Sequence, residues 1–118
     1  MDYVIDIEGE GRFTISLSKA KALPIISELN RRLPLDTYML RRGNRILIYL
    51  GIDKGGFSMV SCEEGRVLYD VVQDSLMICL SSERIESRKF IDVGYVKEGL
   101  EKILNLDRKV KVRIERVE

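Results

Sequence analysis

Asp2-Tyr3-Val4-Ile5-Asp6-Ile7-Glu8-Gly9-Glu10-Gly11-Arg12-Phe13-Thr14-Ile15-Ser16-Leu17 decides the fold class. Tyr3, Ile5 and Ile7 point one way along an extended chain, and Asp2, Asp6 and Glu8 point the other; Val4 alone breaks the alternation. Successive side chains of a strand alternate between faces, so this run predicts a strand with one buried side. Phe13, Ile15 and Leu17 repeat the pattern against Arg12, Thr14 and Ser16, and Gly9-Glu10-Gly11 supplies the turn. Two such runs joined by glycines predict a β-hairpin.

Beyond Leu17 the period changes. Ala22, Ile25, Ile26, Leu29 and Leu33 recur at spacings of three and four, which lines one face of a helix. Pro24 suits a first turn, where its missing N–H goes unused, so the regular helix is placed from about Ala22 to Pro34. Strand patterns follow over 36–42 and 45–50 around Gly43-Asn44, then over 57–62 and 66–69 around Glu63-Glu64-Gly65. Ile46 to Leu50 and Leu76 to Leu80 are apolar on both faces, as in strands covered from each side. Residues 81–89 read as a solvated loop, Phe90 to Val96 as a strand, Lys97 to Leu104 as a short helix, and Lys109 to Glu115 as a strand with one wet face. Many short strands and only two helices predict a mainly β chain: a closed barrel of about eight strands with two short helices, closure removing exposed edges.

Composition narrows the chemistry. The 118 residues suit one domain, 1–118, with a sufficient core. Twenty basic and nineteen acidic residues leave a net charge of +1, which argues for neither nucleic acid nor an anionic membrane as partner. No apolar run reaches the ~20 residues of a membrane span, and Met1 to Val4 do not open a signal peptide, so a cytoplasmic location is expected. Histidine and tryptophan are absent. Histidine is the usual general base and metal ligand. Cys62 and Cys79 cannot complete a four-ligand zinc site; they are expected as free thiols in apolar strands, with a bridge as the alternative. No cofactor, metal or catalytic residue is expected.

Three stretches, in order, carry a family pattern. They are Leu33-Pro34 with Arg41-Arg42-Gly43; Gly65-Arg66-Val67-Leu68-Tyr69 with Leu76-Met77-Ile78-Cys79-Leu80; and Val93-Gly94-Tyr95-Val96 with Gly99-Leu100-Glu101 and Lys111-Val112-Arg113-Ile114-Glu115. Nearly the whole chain resembles the small prokaryotic cyclophilin-like family, which carries no assigned function. The resemblance implies a cyclophilin-like β-barrel capped by helices. Arg42 stands where that family typically has tryptophan, and Tyr69-Asp70-Val71-Val72-Gln73 replaces an aromatic, proline-rich turn.

Arg31, Arg32, Arg41, Arg42 and Arg45 form the densest local charge. Arg31 and Arg32 suit the negative end of a helix dipole. Arg41, Arg42 and Arg45 are candidates to hold a carboxylate or phosphate, since guanidinium forks bind such anions bidentately. Tyr49, Tyr69 and Cys79 are candidates to line the same pocket. The expected partner is a peptide segment or small anion, in a non-catalytic binding domain. A degenerate prolyl isomerase is the enzymatic alternative, with one of those arginines near the prolyl nitrogen. A nucleic-acid accessory role is the third reading and is disfavoured, because stacking aromatics are not interleaved with the cations. Homo-oligomerisation stays open.

Overall fold

The computed structural model describes residues 1–56, 61–85 and 89–117. Eight antiparallel strands close into a barrel: β1 (Asp2–Ile7), β2 (Gly11–Leu17), β3 (Leu35–Arg42), β4 (Arg45–Tyr49), β5 (Arg66–Asp70), β6 (Ser75–Cys79), β7 (Phe90–Glu98) and β8 (Val110–Arg116). Around the barrel the order is β1-β2-β7-β5-β6-β4-β3-β8, and β8 pairs back onto β1. The hairpin expected first is present, with Tyr3 opposite Ile15 and Ile5 opposite Phe13. All four side chains face inward and are at most 1% exposed.

The strands read as apolar on both faces are central. Ile46, Ile48, Leu76 and Ile78 point into the barrel core. Leu47, Leu68, Met77, Cys79 and Phe90 point outward into a second, smaller apolar cluster with Cys62. That outer cluster is why all five residues of β6 are buried.

One helix, α1 (Lys19–Arg32), packs Ala22, Ile25, Ile26 and Leu29 onto the barrel core. Ala22 has non-helical φ/ψ (−131°, 25°), so the first turn is separate and the helix resumes just before Pro24, where proline loses no hydrogen bond. The second expected helix shrinks to a 3₁₀ turn, Leu100–Lys102. The reason lies in the barrel: β7 runs on to Glu98, opposite Thr14 of β2, and takes the residues a helix would need. Of the strand expected over 57–62, residues 57–60 lie outside the described residues, as do 86–88 of the loop expected over 81–89; Cys62 pairs with Glu83 as an isolated bridge.

The expectation of free thiols is overturned. Cys62 and Cys79 form a disulfide, Cα to Cα 5.6 Å. The turn at Gly65 folds back so that its N–H bonds the Cys79 carbonyl at 2.8 Å, which carries Cys62 alongside the end of β6. Pattern reading sees each cysteine in its own apolar segment and has no access to that return. Among the described residues no helix is long and apolar enough to cross a membrane.

Candidate functional site

The Gly43-Asn44 turn joins β3 to β4 with only two residues between the paired Arg42 and Arg45. Gly43 takes φ +61° at the first turn position, the left-handed conformation a two-residue hairpin requires there. This tight turn fixes what shares a face. On the outside of the barrel Arg42 sits opposite Arg45 and Leu40 opposite Leu47. Tyr38 and Tyr49 stack with ring centroids 5.8 Å apart and planes 7° from parallel. Lys109 places its Nζ 4.1 Å above the Tyr38 ring.

The two arginines differ in their surroundings. Arg45 donates from Nε to Glu83 Oε1 at 2.5 Å. Arg42 is exposed and pairs with nothing among the described residues. Like charges opposite each other repel, so Glu83 neutralises one and leaves the other free to attract an anion. Both line a cleft of about 270 Å³ across the outer face of β4, β6 and β5, with Leu47 and Met77 as apolar floor and Asp70 and Gln73 at its far side. Asp70 is only 5% exposed. Its Oδ1 accepts from the Val72 and Gln73 amides at 3.0 and 3.1 Å, the local turn an aspartate makes two and three residues ahead.

The remaining sequence candidates lie elsewhere. Arg41 follows Met39 by two positions and so faces inward at the barrel end, where Nη1 donates to Leu104 O at 2.7 Å and Nε to Gly43 O at 2.8 Å. It ties the hairpin to the segment after the 3₁₀ turn. Tyr69 is fully buried; its hydroxyl donates to Asp74 Oδ1 at 2.6 Å and accepts from the Lys54 N–H. Burial pushes that hydroxyl well above the usual phenol range, and the bond to Asp74 pushes the same way. Cys79 lies opposite Arg45, with its sulfur in the disulfide. Tyr49 borders the same outer face, in the tyrosine stack rather than the cleft lining. Arg31 and Arg32 occupy the last helical turn as expected and pair with Glu28.

Sequence reasoning missed Glu83, Asp70, Leu47 and Met77. Glu83 sits in the segment read as a solvated loop, and the two apolar residues read as core. Only Asp70 left a trace, as an aspartate preceding a turn.

A wider groove of about 700 Å³ crosses the outer faces of β1, β8 and β3. One ion pair crosses it, Arg113 with Asp36. Asp36 takes two hydrogen bonds from Arg113, at 2.7 and 2.9 Å, which hold its carboxyl below the ordinary carboxylate range. Lys109, Lys111 and Arg113 are equalled in number there by Asp6, Glu8 and Asp36. Among the described residues no group of three or more Cys, Asp or Glu is placed to hold a metal ion.

Fold and cleft together define a small antiparallel β-barrel with a polar-ended external cleft. No family model and no curated protein matches the chain. Among solved structures it is similar to a hypothetical protein from Archaeoglobus fulgidus determined in solution, at 16% identity and TM-score 0.77, over 99% of this chain and 95% of that one. It is also similar to McbB in complex with tryptophan, at 16% identity and TM-score 0.66, over 97% of this chain and 44% of that one. Identities this low show a shared fold.

Proposed function

We propose that this chain is a cyclophilin-like, non-catalytic binding domain that holds a peptide segment by a carboxylate at Arg42. The observation that carries the reading is the Arg42 guanidinium, without a partner among the described residues, at the mouth of a cleft floored by Leu47 and Met77. An arginine fork takes a carboxylate bidentately, and the floor takes an apolar side chain. McbB, which shares the barrel, is seen with tryptophan. A ligand with a carboxylate and an apolar side chain is of that same chemical kind.

Calorimetric titration with short acidic peptides tests this. Arg42→Ala removes a charge-assisted hydrogen bond worth about 1.5–3 kcal/mol, so affinity falls about tenfold or more while the circular dichroism spectrum is unchanged. Equal binding by wild type and Arg42→Ala overturns the site. Acceleration of prolyl isomerisation that disappears when Arg41, Arg42 and Arg45 are all replaced by alanine overturns the non-catalytic assignment.

A further inference from the structure

We infer that the cleft measures both ends of a short free peptide, with the terminal carboxylate at Arg42 and the terminal ammonium at Asp70. The inference rests on the binding role of Arg42 proposed above and adds the second pole and the length. Asp70 is the observation that points to it. The residue is 5% exposed, and no cation pairs with its carboxylate among the described residues. Oδ1 is occupied by the two turn amides, whereas Oδ2 accepts only from the Gln73 side chain at 3.3 Å. A carboxylate oxygen has two acceptor sites, and a buried carboxylate is costly without a counter-charge. An ammonium group entering the cleft supplies one.

The register sets the distance between the poles. Arg45 is opposite Cys79, and four residues further along β4 Tyr49 is opposite Ser75, which in turn faces Asp70. Four residues at roughly 3.3 Å each put about 13 Å along the strands, and the three strand spacings from β3 to β5, about 4.8 Å each, add about 14 Å across them, so the Arg42 and Asp70 backbones lie about 19 Å apart along the sheet. The Arg42 and Asp70 side chains both line the cleft and cover part of that span, and an extended peptide of three or four residues, about 10–14 Å, bridges the rest. Alternate side chains of such a peptide face the same way, so one or two apolar side chains meet Leu47 and Met77. Glu83 holds Arg45 beside Arg42 without adding a second free cation. The cleft therefore has one positive pole, one negative pole and an apolar middle, and charge complementarity fixes the peptide's direction.

The probe is the tetrapeptide Ala-Leu-Leu-Ala with free ends, compared with its N-acetyl and C-amide forms, titrated calorimetrically into wild type, Asp70→Asn and Arg42→Gln. Asn at 70 keeps an oxygen for the turn amides and loses the charge. N-acetylation weakens binding to wild type about tenfold and has no further effect on Asp70→Asn; C-amidation does the same for Arg42→Gln. If acetylation costs less than about twofold in wild type while amidation and Arg42 still matter, the second pole is refuted and the proposed function stands. If no form binds, both fall. Should Asp70→Asn melt early, the acetylation comparison on wild type decides alone.

Discussion

Opening the Cys62–Cys79 bridge loosens a defined part of the molecule by a calculable amount. The two residues are 17 apart in sequence. Cross-linking a loop of that length lowers the entropy of the unfolded chain by about 10 cal/mol/K, or about 3 kcal/mol at room temperature. Unfolding entropy of about 2.1 cal/mol/K per residue gives roughly 0.25 kcal/mol/K for the whole chain, so the melting temperature should fall by about 12 °C. Cys62 and Cys79 sit in the outer cluster with Leu47, Leu68, Met77 and Phe90. The Glu83 N–H bonds the Cys62 carbonyl at 2.8 Å, and Glu83 carries the partner of Arg45. Loss of the bridge is therefore felt first at the edge of the cleft, while β1, β2 and β8 keep their pairing. The assay is a melting curve monitored by circular dichroism with and without a phosphine reductant, beside hydrogen exchange at the Glu83 amide. Thiol titration of the denatured, unreduced protein should find no reactive sulfur. Two titratable thiols, or reduced and oxidised melts within about 3 °C, would refute the reasoning.

Three other perturbations probe the frame. Tyr69→Phe removes the hydroxyl shared by Asp74 and the Lys54 N–H and should cost about 1–3 kcal/mol in urea unfolding; an unchanged midpoint contradicts the geometry. A Cβ at Gly94 would come 1.9 Å from the Ser16 carbonyl oxygen, so Gly94→Ala must push β2 from β7; a melting temperature unchanged within a few degrees counts against that close approach. At Asp92, burial raises the pKa, but the bonds from Arg66 and Lys21 prevail and hold the carboxyl below its ordinary value of 3.8. Its contribution to stability is thus present above that value and lost as pH falls through the lower folded value. Wild type should lose urea resistance on acidification below pH 3.8 more steeply than Asp92→Asn; parallel curves would show the pairing to be idle.

Much of the barrel is legible along the chain. Tyr3, Ile5 and Ile7 turn inward because a strand alternates faces, and that geometry depends on immediate neighbours alone. The two-faced runs at Ile46 and Leu76 announce burial on both sides, and the structure supplies the barrel core on one and the outer cluster on the other. Ala22 and Pro24 mark the helix start because proline's ring and missing N–H act locally. The pairing of Arg42 with Arg45 follows from a two-residue glycine turn. The second helix is shorter than its pattern suggests because Lys97 and Glu98, which suit either state locally, extend β7, Glu98 pairing with Thr14 of β2, a partner distant in sequence.

Side-chain alternation and turn chemistry are properties of short stretches, and they settle the β character and the hairpins from the sequence alone. The strand order β2-β7-β5-β6-β4, the Cys62–Cys79 bond and the meeting of Arg42, Glu83 and Asp70 in one cleft were settled by the closed barrel. Which distant strands pair depends on how the whole chain best buries its apolar faces and satisfies its backbone, and no local stretch carries that sum.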